Sequence, residues 1–214
     1  LFQYIKEHVY SGSNNDFIMN TANLFTSSYS RWLRMYQVEI PVVVTNLLTS
    51  VQNPRTQKSA CICLDRIADD IAQLMDLSAT MQVYSTTDLD PKNAIFLVEC
   101  VAKQVAVSND PKLVMDVLQY ILNDNGCAFA VYCEKLTALV RFLPESVVLD
   151  VVKIAWPTLA SAAERDTALD TNLAEKVCRF YKHAVRATKS LFEPFLGDLM
   201  KLFATLFEQK LKSP

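Results

Sequence analysis

The chain has 214 residues, of which 51% are hydrophobic and 21% charged, and its net charge is −2 at pH 7. This composition can fill a core, and the near-neutral balance argues against bulk non-specific binding to nucleic acid. The three glycines, Gly12, Gly126 and Gly197, are too few for the turns of an all-β or doubly wound fold. The composition therefore favours helices joined by short connections.

Helix-start signals recur along the chain at an interval of 37 residues. Asp or Asn side chains can cap the free N–H groups of a helix, and proline fits its first turn. The starts are Asp16, Asn53-Pro54, Asp90-Pro91 and position 127 after Gly126, with a fifth near Asp170-Thr171 after a longer interval. These positions predict the first helices of successive units.

A second set of starts lies between the first. Its members are Ile40-Pro41, Ser78, Asp110-Pro111, Pro144-Glu145 and Pro194. Pro157 is predicted to break or kink the helix that begins at Pro144-Glu145. The valine runs at residues 42–44 and 147–148 would suit strands by propensity, but both follow a proline start and have neighbours at helical spacing. Each unit is therefore predicted to contain a helix, a turn and a second helix.

Apolar residues at helical spacing support these units, for example Leu64, Ile67, Ala68, Ile71, Leu74 and Met75. A period of about 37 residues falls in the range of helical-hairpin solenoids. The sequence therefore predicts an all-α HEAT-repeat solenoid of about five repeats, with residues 1–214 as a single array. Because residues 1–5 already follow a helical pattern without an initiator methionine, the array is predicted to be an internal fragment of a longer protein.

Neither catalysis nor metal binding is predicted. The sequence contains no GxGxxG, Walker-type loop, HExxH or GxSxG motif, and its six cysteines form no C-x-x-C pair. The cysteines are predicted to be reduced core residues, which fits a cytosolic or nuclear protein. The acids Asp69 and Asp70 are predicted to be a solvated surface pair. No cofactor and, in the absence of a long apolar run, no membrane span are predicted.

The aromatic residues Tyr29, Trp32 and Tyr36 recur at helical spacing near Arg31 and Arg34. Exposed rings interleaved with cations would form a stacking platform for the bases of a single-stranded nucleic acid. The same spacing suits packing in the core or between repeats, and packing is what we predict for these rings.

Residues 176–189 carry the strongest functional signal. Read as a helix, they place six basic side chains within roughly 140° of arc, at about 100° per residue. These candidate binding residues are Lys176, Arg179, Lys182, His183, Arg186 and Lys189, and the segment contains no acid. Apolar residues fill the other side. Such a helix can pack into a scaffold and offer charge-assisted bonds to phosphates or carboxylates, although a merely solvated face would show the same pattern.

The chain also resembles a known family along nearly its whole length, most sharply over residues 156–203. The segments that carry the likeness are AWPTL at 155–159, LAEKVCR at 173–179, KHAVR at 182–186, YSRWL at 29–33 and the block at 53–66. They resemble the importin-β (karyopherin-β) superfamily of nuclear transport receptors, in its transportin-SR branch, with the importin-thirteen branch also open. The resemblance implies a HEAT-repeat superhelix of which this chain would be a part.

In that family an arginine-rich helix binds phosphorylated arginine–serine segments of protein cargo. The resemblance places its four arginines at Lys176, Arg179, Lys182 and Arg186. The two lysines keep the charge but lack the planar fork that binds phosphate through two hydrogen bonds. The resemblance also implies contact with Ran-GTP, mostly outside this segment, and with nucleoporins, together with shuttling between cytoplasm and nucleus and no direct contact with nucleic acid.

Two other functions stay open on the sequence alone. One is a structural HEAT or armadillo adaptor whose basic face only keeps it soluble. The other is an RNA-binding α-solenoid, which would require base-stacking aromatic rings beside the cations.

Overall fold

The computed structural model describes Val9 and residues 15–108, 110–123, 127–165 and 171–212, and all regular structure in these ranges is helical. The α-helices are α1 (Asp16–Ser28), α2 (Ser30–Met35), α3 (Ile40–Val51), α4 (Gln57–Ile71), α5 (Leu77–Thr86), α6 (Pro91–Ala106), α7 (Pro111–Leu122), α8 (Phe129–Phe142), α9 (Glu145–Arg165), α10 (Thr171–Thr188) and α11 (Glu193–Lys212). Three short 3-10 helices, at Gln37–Glu39, Ala72–Leu74 and Lys189–Phe192, join neighbouring helices. The prediction of an all-α protein is confirmed for these residues.

The chain divides into two compact units, Leu1–Val114 and Met115–Pro214. In the first unit α4 is central and packs against α1, α2, α3 and α6, while α5 packs against α3 and α6. In the second unit α8 packs against α10, and α9 packs against α8, α10 and α11. That residues 1–214 form a single array stays a prediction.

Hydrogen bonds between side chains about one repeat apart join α1 to α4. Asn23 Nδ2 donates to Ser59 Oγ at 3.0 Å, across 36 positions of the sequence. Arg66 Nη1 donates to Ser27 Oγ at 3.4 Å, across 39 positions. The later residue of α1, Ser27, contacts the later residue of α4, Arg66, so α1 and α4 run in the same direction.

The same relation holds between α4 and α6. Asn93 Nδ2 donates to Gln57 Oε1 at 2.9 Å, across 36 positions. Lys103 Nζ donates to Asp65 Oδ1 at 2.7 Å, across 38 positions. The helices α1, α4 and α6, each predicted to be the first helix of a repeat, thus lie side by side and parallel within the first compact unit.

Two of the predicted caps are confirmed. Asp90 Oδ1 accepts from the backbone N–H of Lys92 at 2.9 Å and begins α6. Asp110 Oδ1 accepts from the N–H groups of Lys112 and Leu113 at 3.0 and 3.1 Å and begins α7. Proline follows each aspartate in the first turn, where a missing N–H has no helical partner to lose.

The prediction that Asp16 and Asn53 cap helices is wrong. Asn15 caps α1 through two backbone N–H groups, and α4 begins only at Gln57. Asn53 Nδ2 instead donates to Asp16 Oδ1 at 3.1 Å, across 37 positions. The 37-residue spacing of Asp16 and Asn53 therefore reflects a contact between these two side chains and not the capping of a helix by each.

Most other helix starts agree closely with the sequence. The predicted starts at Ile40-Pro41, Pro144-Glu145 and Pro194 correspond to α3, α9 and α11, so both valine runs are helical as predicted. Asp76, rather than Ser78, caps α5, and α8 begins at Phe129. The start predicted near Asp170-Thr171 agrees with α10, which begins at Thr171, whereas the predicted helical opening at residues 1–5 lies outside the described residues.

Pro157 does not break α9, which continues to Arg165. Its ring is exposed, so the backbone carbonyl left without an N–H partner one turn earlier can bond with water. The helical stripe predicted at the end of α4 is also interrupted. Because the chain tightens into a 3-10 helix after Ile71, Leu74 turns outward and is 38% exposed.

The central position of α4 explains its cysteines. Cys61 and Cys63 point in nearly opposite directions on the helix, yet both are fully buried because α4 is covered on several sides. Cys100 and Cys133 are buried as well, and burial raises the pKa of the Cys61, Cys100 and Cys133 thiols to about 12. Four of the six cysteines are thus core residues as predicted, whereas Cys178 is exposed and Cys127 half-buried.

The prediction that Asp69 and Asp70 form a solvated pair holds for Asp69, whose side chain is 60% exposed, but Asp70 is half-buried, and both acids contact neighbouring helices. Asp69 Oδ1 lies 2.7 Å from Lys103 Nζ on α6, and Asp70 accepts a hydrogen bond from Ser30 Oγ on α2. Each acid therefore ties α4 to a different neighbour.

The prediction that the aromatic rings in and beside α2 are packed in the core or between repeats is also wrong in part. Tyr29 is 45% and Tyr36 51% exposed, and Trp32 is half-buried. Only Leu33 of this segment is fully buried, so it alone anchors α2 in the core.

Candidate functional site: a basic cluster on two helices

Helix α10 presents the amphipathic pattern that the sequence predicted. Its packed side is buried, with Val177, Phe180, Tyr181 and Ala184 all at 4% exposure or less. The Tyr181 ring meets Trp156 of α9 edge-on, with the ring centroids 5.8 Å apart. The apolar side therefore holds α10 against α8 and α9 and leaves its basic side facing away from this core.

Two of the six candidate binding residues have acidic partners. Lys176 Nζ lies 2.6 Å from Glu134 Oε1 on α8, and the lysine side chain is only 18% exposed. Arg179 Nη2 lies 2.6 Å from Glu175 Oε1, one turn earlier on α10. The first two basic residues, Lys176 and Arg179, are thus neutralised by acids outside residues 176–189, one on α8 and one on the preceding turn of α10.

The other three strongly basic residues are free of carboxylates. Lys182, Arg186 and Lys189 are exposed, and no acid among the described residues pairs with them. Lys189 follows the last residue of α10 and is the first residue of the 3-10 helix Lys189–Phe192. Its φ of 48° lies in the left-handed region. The unpaired charge therefore lies towards the carboxyl end of α10.

His183 lies in the middle of this charge. Burial lowers the pKa of its imidazole, and nearby cations lower it further. These cations are Arg141, Arg186, Lys182 and Arg179. Because its usual pKa is already near 6.5, the imidazole is neutral at pH 7 in the free protein.

Arg141 is the residue that sequence reasoning missed. It lies on α8, is exposed, and has its guanidinium carbon 5.1 Å from the centroid of the Phe142 ring. Glu134 precedes its partner Lys176 by 42 residues, and Arg141 precedes His183 by the same interval. This interval is longer than the predicted period of 37 residues, so the sequence spacing did not point to Arg141.

We call the set Arg141, Arg179, Lys182, His183 and Arg186 the basic cluster. Its members come from two packed helices, so their spacing is set by the core beneath them. Exposed guanidinium and ammonium groups donate charge-assisted hydrogen bonds to phosphate or carboxylate oxygens. No group of His, Cys, Asp and Glu that could hold a metal ion occurs among the described residues. These exposed cations make the basic cluster suited to binding an anion.

Comparison with known proteins gives no match, either to a protein-family model or to a curated protein sequence. Within the described residues, no helix is long and apolar enough to cross a membrane.

Proposed function

We propose that the basic cluster binds an acidic or phosphorylated segment of a protein partner. The observation that carries this proposal is the gathering of cations from α8 and α10 around His183, with Lys182 and Arg186 exposed and without an acidic partner among the described residues. This accumulation occurs in a chain whose net charge is −2, so it is local and is not part of a generally basic surface. Local positive charge of this kind favours defined anionic ligands over bulk nucleic acid.

The wider setting proposed for this site is a segment of a nuclear transport receptor with a HEAT-repeat scaffold. The resemblance to the karyopherin-β superfamily supports it, as do the parallel first helices whose contacts recur at 36 to 39 residues. In this setting the ligand is cargo with phosphorylated arginine–serine segments, and the whole receptor shuttles between cytoplasm and nucleus. Ran-GTP and nucleoporins are further proposed partners of that receptor.

Within the cluster the roles divide. Of the four positions where the resemblance implies arginine, Lys176 and Arg179 already have carboxylate partners. Lys182 and Arg186 therefore make most of the contacts with the ligand. Arg141 adds positive charge from the neighbouring helix α8, and Lys189 adds positive charge beyond the end of α10. Lys176 acts mainly by holding α10 to α8.

Titration of phosphorylated and unphosphorylated arginine–serine peptides tests the proposal. We expect the wild-type chain to prefer the phosphorylated peptide. The variant Lys182→Ala/Arg186→Ala should bind it at least about tenfold more weakly, because each charge-assisted hydrogen bond contributes about 1.5–3 kcal/mol. Fluorescence anisotropy of labelled peptides measures both affinities.

Lys153→Ala/Lys201→Ala is the matched control, since it removes two positive charges from the same compact unit. Both lysines pair with an acid on their own helix, Asp150 and Asp198, and neither belongs to the cluster. The control should bind like wild type. Equal binding of both peptides by all three proteins would exclude the cargo site and favour the structural adaptor, whose basic face only solvates it.

The neutral state of His183 makes binding depend on pH. A bound anion offsets the surrounding cations and raises the His183 pKa, so binding takes up a proton and strengthens as pH falls. We expect the affinity for a glutamate-rich peptide, which stays ionised, to rise about two- to fivefold between about pH 7.5 and about pH 6. Calorimetry in buffers of different ionisation enthalpy measures the proton uptake. In His183→Asn both effects should disappear; an unchanged pH profile in that variant would rule out His183 as the linked group.

A further inference from the structure

Residues 29–38, which lead from α1 into α3, form an exposed surface in the first compact unit. Its exposed large hydrophobic side chains are Val38 at 85%, Met35 at 73%, Tyr36 at 51% and Tyr29 at 45%. Exposed apolar residues are ordinary when scattered singly, but four within ten positions are a concentration. We call residues 29–38 the α2 surface.

The α2 surface is fixed to the rest of the first compact unit by one buried side chain and one hydrogen bond. Leu33 is fully buried, and Ser30 Oγ donates a hydrogen bond to Asp70 on α4. The rings of Trp32 and Tyr36 stack with their centroids 4.2 Å apart and their planes 26° from parallel. Because the backbone is anchored and the rings support each other, a partner would lose little conformational freedom in ordering them.

Charge on this surface is of one sign. Arg31 and Arg34 are exposed, and no carboxylate among the described residues pairs with either of them. Residues 29–38 contain no Asp, Glu or Lys. Tyr, Trp, Met and Arg are the residues enriched in protein interfaces, and Lys, Glu and Asp are those depleted there. The composition of the α2 surface therefore matches the centre of an interface.

We propose that the α2 surface docks a protein segment in which apolar side chains are flanked by Asp or Glu. Met35, Tyr36 and Val38 would receive the apolar side chains, and Arg31 and Arg34 would bind the carboxylates. A single-stranded nucleic acid fits less well, because Trp32 and Tyr36 already cover one face of each other's ring. The most exposed members, Met35 and Val38, also offer bases no ring to stack on.

Selection from a library of phage-displayed random peptides, each about a dozen residues long, tests the proposal on the whole chain. We expect the enriched peptides to combine Leu, Ile, Phe or Trp with Asp or Glu. Binding of a synthetic copy is followed by tryptophan fluorescence in a Trp156→Phe background, where Trp32 is the sole tryptophan. Both Arg31→Glu/Arg34→Glu and Met35→Ala/Val38→Ala should weaken that binding at least about tenfold, as expected for central contacts of an interface.

Lys58→Glu/Lys92→Glu is the matched control, with the same change of charge on exposed lysines of the same unit. Lys58 is 12 positions before Asp70 on α4, or about 18 Å along the helix at 1.5 Å per residue. The proposal would be overturned if the wild-type chain enriched no peptides relative to the Arg31→Glu/Arg34→Glu variant. It would also be overturned if the enriched peptides were basic. Tight binding of an oligouridylate that quenches Trp32, while the selected peptides leave it unchanged, would overturn it as well.

Discussion

Replacing Lys103 with alanine is expected to destabilise the first compact unit by about 3–5 kcal/mol, because it would leave a buried carboxylate without its partner. Lys103 is 8% exposed, and its Nζ lies 2.7 Å from Asp65 Oδ1 and 2.7 Å from Asp69 Oδ1. The same nitrogen donates to the backbone oxygen of Asp65 at 2.8 Å. Asp65, at 14% side-chain exposure, would lose its counter-charge and have little water to replace it.

The charge state supports the size of this effect at neutral pH. Burial alone would lower the pKa of Lys103, but its hydrogen bonds to Asp65 and Asp69 outweigh burial, so the pKa lies above its ordinary value. A lysine whose pKa is raised by folding contributes its full stabilisation below the unfolded pKa. The contribution is lost only as pH rises through the raised value, far above pH 7.

Urea unfolding followed by circular dichroism measures the loss, and amide hydrogen exchange in α4 and α6 locates it. Lys92→Ala, an exposed lysine on the same helix, is the control and should change the free energy of unfolding by less than about 0.5 kcal/mol. Lys103→Met/Asp65→Leu should recover most of the loss, since replacing both charges removes the unpaired carboxylate. A loss under about 1 kcal/mol for Lys103→Ala would show that water reaches Asp65 freely.

Truncation of Phe180 to alanine is the corresponding test for the second unit, with an expected loss of about 3–5 kcal/mol. Phe180 is fully buried on α10, and its ring lies 5.0 Å from that of Tyr181. Removing the ring takes away the apolar contact that holds α10 beneath the basic cluster. We therefore expect binding of the phosphorylated peptide to fall together with stability, although no charge has changed.

Phe180→Leu should keep most of the buried volume, lose less stability and restore peptide binding. Leu196→Ala on α11 is a control of similar chemistry, since Leu196 is 45% exposed and should cost less than about 1 kcal/mol. Thermal unfolding with parallel anisotropy titrations measures both quantities. If Phe180→Ala bound the peptide like wild type while losing stability, the cluster would not depend on the position of α10.

Local signals explain why so much of the helical structure could be predicted. Capping by Asp90 and Asp110, and proline in the first turn of α3, act within a few residues, so they can be read directly from the sequence. The apolar side of α10 was predicted for the same reason, because helical spacing alone places Phe180 and Tyr181 together. The cap assigned to Asp16 was wrong because the neighbouring Asn15 takes that role, and the start predicted at Ser78 is set by Asp76, which caps α5.

The candidate site was predicted only in part. The sequence identified the five basic residues of α10 and Lys189 after it, but it gave no sign that Glu134 would engage Lys176 or that Arg141 would join the cluster. Both partners lie 42 residues away, on α8. Ion pairs of this kind depend on which helices pack together, and no local pattern encodes that.

By itself, then, the sequence determined that this protein is helical, where most of its helices begin, and which side of α10 is apolar, since each depends on residues within one or two turns. The tertiary structure decided which charges are neutralised and which surfaces are open. It paired Asp65 and Asp69 with Lys103, exposed Tyr36 and left Arg186 without an acidic partner among the described residues. The physical reason is that burial and ion pairing act between residues that are far apart in the sequence, and only packing brings those residues within contact distance.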